Sequence, residues 1–340
     1  MKPPLADVAP NPEPLDRGEF DAGRLMRQHP PVLRNPNKLV VFRIACPDGT
    51  AGGHLSYGRW PEMSLPATVD PARAAVRVEV RDGFYDYELL ASEPTLEWHV
   101  NFADPRLFYA YGSSLFAQDE MQVAEHPALG SLREALVAER RSTLTVEGGR
   151  PTPVLVLGAE RRVRIATDRS SVDGRPNGLY GNAFANAGPD AVRRATTAIE
   201  PPPISNIIAI AAPAGGYGRY RKAQIELVLA TAYSGFRAAL LESSRATRSD
   251  AGVVVHTGFW GCGAFGGNRV MMTLLQLLAA EMAGAESLVM HVGEAAGRVA
   301  VDQAESLLRS GLSEPALVGT VALVDRIEAL GLEWGQSDGN

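Results

Sequence analysis

A glycine-rich loop is the clearest chemical feature of this 340-residue chain. Residues 257–267 read TGFWGCGAFGG, with five glycines in the run. The run lies between an apolar strand candidate at 252–256 and an apolar helix candidate that begins at 269. Glycine permits positive φ angles and close backbone approach, and a strand-to-helix loop points free N–H groups at an anion. The spacing favours either a phosphate-binding loop or a tight turn that lets strand and helix pack closely.

Other sequence signals exclude several kinds of site. The loop fits neither GxGxxG nor GxxxxGK[ST], the dinucleotide and P-loop patterns. The cysteines are Cys46 and Cys262, too far apart in sequence to suggest a disulfide framework or a CxxC metal site. For Cys262, inside the loop, we favour a small buried residue over a reactive thiol. We therefore expect no metal site and no cofactor.

Composition limits the partners. With 45% hydrophobic residues the chain can bury a sizeable core, and its net charge of -6 argues against a broad basic surface for nucleic acid. A local basic pocket for a phosphorylated ligand remains compatible with this charge. No apolar run reaches the roughly 20 residues of a membrane helix, and the N-terminus lacks a signal-peptide core. We expect a cytoplasmic protein with no membrane segment.

The elements that must position the loop follow from hydrophobic patterning. Short apolar or alternating runs predict strands, at 75–80, 96–102, 154–157, 204–211, 252–256 and 288–292. Longer runs between them predict helices, at 118–140, 219–242, 269–284, 299–311 and 315–330. Buried strands that alternate with helices predict a three-layer α/β/α fold. Residues 1–74 are rich in proline and predict an irregular, partly helical extension that packs against a main domain at 75–335.

The glycine-rich loop resembles the TGNWGCGAFGG segment of poly(ADP-ribose) glycohydrolases, which are built on a macrodomain. Residues 207–210 and 232–236 are similar to that family's "IVAIDA … AYCGF" block. The resemblance implies an α/β/α macrodomain with a mixed central sheet. It also implies that the loop holds the diphosphate of an ADP-ribose unit, through Gly261, Cys262, Gly263, Ala264, Phe265 and Gly266.

A second stretch, residues 100–120, resembles the family signature in which a "V(D/N)FAN" strand end leads through a triple glycine to Gln-Glu-Glu. Here the last three residues are Gln118, Asp119 and Glu120. The resemblance implies that Glu120 is the general acid/base, with Asp119 beside it. Cleavage of a ribosyl C–O bond requires protonation of the leaving oxygen and activation of a water, and one carboxyl group can do both in turn. Asn101, Asp104 and Gln118 are the matching candidates for substrate binding.

Besides Asp119 in place of the first glutamate, the same stretch departs from the family at two further points. The triple glycine aligns with residues 108–110, Phe-Tyr-Ala, and the strand-end asparagine aligns with Asp104. Side chains at 108 and 109 restrict the positive φ angles that glycine reaches easily, and they must point away from a cleft. Asp104 can accept a hydrogen bond from a ribose hydroxyl but cannot donate one.

A third block, residues 178–184, is similar to the family's "GYA" segment. The resemblance implies that Tyr180 closes over the ligand; the alternative is an aromatic ring buried under a loop. Residues 290–294 depart from the aromatic "FTFGD" stretch of the family, and His291 in that stretch is interpreted as a core group. Basic clusters at 140–141 and 161–164 are interpreted as solvated faces.

Together these motifs predict a hydrolase that cleaves a ribosyl bond of an ADP-ribose-containing substrate. The expected partners are ADP-ribose, a poly- or mono-ADP-ribosylated protein, or an NAD-derived small molecule. Two alternatives stay open: a glycohydrolase that acts on an NAD-derived metabolite, and an inactive ADP-ribose-binding module. Retention of Glu120 favours catalysis, whereas loss of the three glycines favours binding alone.

Overall fold

A computed structural model describes residues 12–70, 76–88, 95–247, 252–312, 318–337 and 339. The strands are β1 (Asp16–Asp21), β2 (His54–Arg59), β3 (Thr68–Val69), β4 (Arg77–Arg81), β5 (Thr95–Phe102), β6 (Val146–Glu147), β7 (Arg150–Pro151), β8 (Val154–Glu160), β9 (Val163–Ile165), β10 (Thr196–Ala198), β11 (Ile204–Ile210), β12 (Gly252–Gly258), β13 (Ser287–His291) and β14 (Val318–Gly319). The helices are α1 (Ala22–Gln28), α2 (Pro36–Ala45), α3 (Gln118–Glu125), α4 (Ala128–Ala138), α5 (Ala183–Asn186), α6 (Pro189–Ala195), α7 (Lys222–Thr247), α8 (Arg269–Ala283), α9 (Ala295–Ser306) and α10 (Thr320–Ala329), with a π-helical turn at Leu307–Gly311.

A mixed sheet of 8 strands, in the order β1-β2-β8-β11-β5-β12-β13-β4, forms the centre of the molecule. The pairs from β11 to β4 are parallel. The pairs β1-β2, β2-β8 and β8-β11 are antiparallel. The prediction of an α/β fold with a mixed central sheet is confirmed.

Successive residues of the central strands bury opposite faces, as the alternation of a pleated strand requires. On β11, Ile208 and Ile210 belong to the core beneath α7 and α8, whereas Ile207 and Ala209 belong to the core beneath α1, α2 and α4. Helices therefore cover both faces, and the parallel strands end together at one edge. Crevices at the carboxyl ends of such strands are the usual binding sites of α/β sheets.

One predicted helix is wrong in extent. Residues 118–140 form two helices because Pro127 interrupts them, standing as the residue that precedes α4. The helix predicted at 219–242 extends to Thr247. Residue 75 of one predicted strand, and 315–317 of one predicted helix, lie outside the described residues.

Residues 16–59 hold more regular structure than their prolines suggested. Strands β1 and β2 pair antiparallel, and β2 pairs with β8 in the central sheet. Strand β1, with the sequence DRGEFD, lies at the edge of the sheet. It was not predicted because its residues alternate in charge and not in apolar character. Pro36 does not break α2 but occupies its first turn, where a missing N–H is tolerated. The domain boundary at residues 74 and 75 stays a prediction, although two strands before it join the sheet.

Replacement of Leu55 in β2 tests whether this N-terminal part is integral to the core. Leu55 is fully buried, so Leu55→Ala should lower the free energy of unfolding by about 2–5 kcal/mol. Leu15→Ala is the matched control, since Leu15 is half exposed, and it should change stability by less than about 0.5 kcal/mol. Chemical denaturation measures both. Equal, small effects would mean that β2 is a detachable arm.

Candidate active site

A cavity of about 700 Å³ opens where β5, β11, β12 and β13 end. This volume is within the range of small-molecule sites. The residues named from sequence that line it are Asp104, Gln118, Asp119, Glu120, Tyr180, Gly261, Cys262, Gly263, Ala264 and Phe265. Segments separated by more than 100 residues in sequence thus meet in one cleft, as the motifs require if they act together.

The glycine-rich loop is held rigidly on one side of the cleft. Gly261 has φ 77°, and a β-carbon there would lie 2.6 Å from the Ala212 Cβ, so this position requires glycine. The Trp260 indole donates to the Ile210 carbonyl over 3.0 Å. At the start of α8, the Asn268 side chain accepts from two helix N–H groups at 3.0 and 3.1 Å. Those helix amides are capped, and the N–H groups of Cys262 and Gly266 donate to the carbonyls of Phe259 and Gly263 at 3.0 Å each. The loop amides at 261 and 263–265 are therefore the ones that can meet an anion.

The two acidic residues begin helix α3 directly opposite the end of β5. The Ala117 N–H donates to Glu120 Oε2 over 2.9 Å, which fixes the glutamate in the first turn. The Asn101 amide donates to Asp119 Oδ1 over 3.0 Å. Asp119 and Glu120 are only 6% and 3% exposed, although both line the cavity.

Burial governs the ionisation of this pair. It raises the pKa of Glu120, and the charge of Lys38 is the largest influence that opposes the rise. Burial raises the pKa of Asp119 well above its ordinary value, the neighbouring Glu120 charge raises it further, and the Asn101 hydrogen bond opposes both. A carboxyl group whose pKa is raised keeps its proton at higher pH, which suits a general acid.

Gln118 and Asp104 lie at the cleft but also have structural partners. Gln118 Oε1 accepts from the Phe102 N–H over 2.7 Å, and its Nε2 donates to the Val100 carbonyl over 3.1 Å. Both ends of this side chain therefore fasten α3 to β5. Asp104 Oδ1 accepts from the Arg106 N–H over 3.0 Å, which leaves its other carboxylate oxygen for a ligand.

The loop that replaces three glycines leaves the cleft open. Phe108 adopts φ 50°, a conformation that favours glycine, and its ring is buried in the core. Tyr109 turns outward and is 55% exposed, with the guanidinium groups of Arg106 and Arg133 over its ring. Ala110 lines the cavity. Phe108 thus adopts a positive φ that glycine reaches easily, at the cost of backbone strain, and neither aromatic ring lines the cavity.

An aromatic pair borders the cleft. The rings of Phe84 and Tyr180 stack with centroids 5.4 Å apart and planes 11° apart, and both residues line the cavity. Phe84 follows β4 and was missed from sequence because it belongs to no motif or periodic segment. The pair gives the cleft a flat apolar surface suited to a ring.

Two predicted site residues do not reach the cavity wall. Asn101 is fully buried behind Asp119, and its side-chain amide donates a hydrogen bond to the Asp119 carboxylate. Gly266 has φ 67° and packs against the backbone of residues 335–337. The roles of all the candidate residues, including these two, stay predictions.

Buried polar groups under the cleft were also missed or misinterpreted. Arg161 is buried and forms a 2.8 Å ion pair with Glu125, so its interpretation as part of a solvated face is wrong. His256 Nε2 lies 2.7 Å from Glu97 Oε2, and His256 Nδ1 lies 3.2 Å from His291 Nε2. His291 is therefore a core group with a partner, at the cavity wall. Glu97, His256 and His291 share a sheet face, which only the strand register reveals.

Burial raises the pKa of the Cys262 thiol to about 12, which disfavours a reactive thiolate. Within the described ranges, no cluster of three or more histidine, cysteine, aspartate or glutamate side chains has the arrangement to hold a metal ion. In the same part of the chain, no helix has the length and apolar character to cross a bilayer.

The fold and the cleft are those of an α/β protein of macrodomain type. Residues 179–297 match the family model for poly(ADP-ribose) glycohydrolase (PARG), macro domain fold. Over this segment the chain is similar to the poly(ADP-ribose) glycohydrolase family, as its motifs predicted. The matched stretch includes Tyr180 and the glycine-rich loop, whereas Asp119 and Glu120 lie before it.

Two of the solved structures that the chain matches are poly(ADP-ribose) glycohydrolases. The poly(ADP-ribose) glycohydrolase from Thermomonospora curvata is 16% identical, with 70% of this chain and 84% of that chain covered and a TM-score of 0.41. The Deinococcus radiodurans enzyme in complex with ADP-ribose is 11% identical, with 87% and 95% covered and a TM-score of 0.38. Both TM-scores are low, so the assignment depends on the family match. No curated protein sequence matches the chain.

Replacement of Asp119 by asparagine should stabilise the fold. Because the folded pKa of Asp119 is raised, the folded protein binds more protons than the unfolded chain between the two pKa values, and stability falls as pH rises through that interval. Asp119→Asn should raise the free energy of unfolding at pH 7 by about 1–3 kcal/mol, the scale of an uncompensated buried polar group. The gain should shrink as pH falls toward 3.8, the ordinary aspartate value.

Urea denaturation at a series of pH values measures this effect. Asp48→Asn, at an exposed aspartate, is the control and should change stability by less than about 0.5 kcal/mol. A loss of stability in Asp119→Asn at pH 7 would show that the carboxylate is well compensated in the fold.

Proposed function

We propose that this protein is a hydrolase that releases ADP-ribose from poly- or mono-ADP-ribosylated protein, with Glu120 as general acid/base. The observation that carries the proposal is the meeting of a buried carboxyl pair and a glycine-rich anion loop in one cavity. The family match supports the ligand class, because it covers the loop that faces the carboxyl pair. Neither half of the site alone would specify a ribosyl hydrolase.

The proposed reaction needs no group beyond these side chains and water. Glu120, whose pKa is raised by burial, donates its proton to the leaving oxygen as the bond to the ribosyl carbon breaks. The carboxylate that results accepts a proton from a water molecule, and that water adds to the oxocarbenium-like carbon. The water's proton restores the acid. The Ala117 N–H, at 2.9 Å from Glu120 Oε2, holds the carboxylate in place through both steps.

The rest of the ligand fits the other walls. The diphosphate would lie against the N–H groups of the loop at 261 and 263–265, where Gly261 already holds a positive φ. Arg269 lies at the start of α8 and lines the cavity, and it adds positive charge on that side. Tyr180, stacked on Phe84, would cover the bound nucleotide. Asp104, in place of asparagine, would accept a hydrogen bond from a ribose hydroxyl.

We expect the partner to be an ADP-ribosylated protein or the polymer itself, with no direct binding of nucleic acid, since the net charge is -6. The cleft beside Phe108 and Tyr109 is open, because the side chains that replace the family's glycines do not block substrate entry. This favours turnover over a role in binding alone. A cytoplasmic location stays a prediction from sequence.

Glu120→Gln tests the acid/base assignment. The amide keeps the hydrogen bond from Ala117 but cannot donate the catalytic proton, so ADP-ribose release should fall by at least ~100-fold. Chromatography of the products from poly- and mono-ADP-ribosylated protein measures the rate. The control is Glu139→Gln, an exposed glutamate that follows α4, which should keep the wild-type rate.

The outcomes separate the candidate functions. Release by the wild type and the control, with loss in Glu120→Gln, is the expected result. ADP-ribose binding without release by the wild type would support the binding module. Release only from an NAD-derived small molecule would support the metabolite hydrolase. Equal rates in wild type and Glu120→Gln would contradict the role of Glu120.

A further inference from the structure

Lys38, in helix α2, is a buried lysine that no motif singled out. Of the 33 Lys and Arg residues in the chain, the lysines are at positions 2, 38 and 222. Lys38 is only 2% exposed. A buried ammonium group is costly unless opposite charge or hydrogen-bond acceptors compensate it. Its surroundings should therefore explain why the charge is there.

The ammonium group reaches the loop that leads to the acidic pair. Lys38 Nζ donates to the Tyr111 carbonyl over 2.6 Å and lies 5.7 Å from the centre of the Phe116 ring. Phe116 directly precedes Ala117, whose N–H holds Glu120. A small cavity of about 20 Å³ is bordered by Lys38, Tyr111 and, from α3, Val123. The lysine therefore packs against the segment that leads into α3, and it does not line the cleft.

Several contacts fix the lysine in this position. Asn35 caps α2. Within the helix, the Asn37 side-chain amide donates to the carbonyls of Phe184 and Ala187 at 2.8 and 2.9 Å. The Val32 N–H donates to the Tyr111 hydroxyl over 2.6 Å, so the segment before α2 is tied to the same loop. These bonds hold helix α2, and with it Lys38, against the segment that leads to the carboxyl pair.

The charges around the pair make Lys38 the compensating group. Its charge opposes the raised pKa values of both Asp119 and Glu120, whereas Asp104, from the loop after β5, acts in the opposite sense. Further along α3, Glu125 is neutralised by its ion pair with Arg161. Beside Tyr111, Glu134 accepts from the tyrosine hydroxyl. Burial lowers the pKa of Lys38 to about 8, so it remains protonated at neutral pH.

We propose that Lys38 is a positioning residue of the active site, whose ammonium group keeps one carboxylate of the Asp119–Glu120 pair ionised while the other holds a proton. A single acid/base pair needs this division, because two charged carboxylates repel and two protonated ones cannot activate water. Lys38 touches neither substrate nor the reacting atoms. The inference rests on the proposed hydrolase function for its kinetic consequence but not for its electrostatic one.

The first test is the pH profile of kcat/KM for ADP-ribose release. Lys38→Met keeps an unbranched side chain without charge, so the acidic limb of its profile should move to higher pH by about 1 unit. Lys38→Arg keeps the charge and should retain the wild-type acidic limb. Lys222→Met is the matched control: Lys222 is partly exposed at the start of α7, where it pairs with Asp325, and the profile should not move.

The second test does not need turnover. Carbon-13 NMR of labelled aspartate and glutamate carboxyl groups gives their titrations directly, with Glu120→Gln and Asp119→Asn to assign the signals. Lys38→Met should titrate the pair at higher pH than wild type, and Lys222→Met should not. Thermal unfolding of each variant verifies that it is folded.

Each outcome decides one claim. A shifted acidic limb and shifted carboxyl titrations in Lys38→Met support the proposal. A lower rate with no shift in either measurement would overturn it and leave Lys38 as a packing residue. If the wild type releases no ADP-ribose, the proposed function fails, and the carboxyl titrations alone decide the role of Lys38.

Discussion

Burial of two adjacent carboxyl groups at the first turn of α3 is the constraint that the surrounding structure satisfies. Carboxylates that are almost excluded from water are unstable unless they are protonated, hydrogen-bonded or paired. The chain supplies a backbone N–H for Glu120 and an amide for Asp119, and it places the charge of Lys38 behind them. These three groups come from the start of α3, from β5 and from α2. The site thus depends on the packing of the N-terminal elements as well as on the central sheet.

The central sheet places the buried carboxyl pair at the edge of a cleft. Strands β5, β12 and β13 run parallel, so their ends bring the carboxyl pair, the glycine-rich loop and His291 to one edge. Gln118 uses its whole side chain to fasten α3 to the end of β5. On the opposite wall, Gly261 lies too close to Ala212 for any side chain, which fixes the loop facing the acids. Little in this arrangement can shift without moving a carboxyl group or a backbone amide that faces it.

The sequence predicted what local patterns encode. The strands β5, β11, β12 and β13 and the helices α7 and α8 were recognisable because each is buried and therefore carries its own apolar run. The motifs located the cavity-lining residues from Gln118 to Glu120 and from Gly261 to Phe265. What escaped prediction depends on tertiary pairing. Strand β1 is recognisable only from its pairing with β2, and Arg161 is buried because it forms an ion pair with Glu125. The role of Lys38 depends on its position beside the segment that leads into α3.

The altered loop shows a further limit of motif reasoning. Bulky residues at 108 and 109 suggested either a blocked cleft or a different ligand, yet the structure buries one ring and exposes the other. Phe108 adopts a left-handed conformation that residue type alone disfavours, because the core around its ring stabilises it. Residue identity at an aligned position therefore did not determine the shape of the cleft, whereas packing did.

A crystal structure of the protein with ADP-ribose bound tests the central claim most directly. We predict the diphosphate against the N–H groups of residues 261 and 263–265, and the terminal ribose C1″ hydroxyl within about 3 Å of the Glu120 carboxylate. ADP-ribose bound elsewhere, or in the cleft with Glu120 beyond reach of C1″, would contradict it.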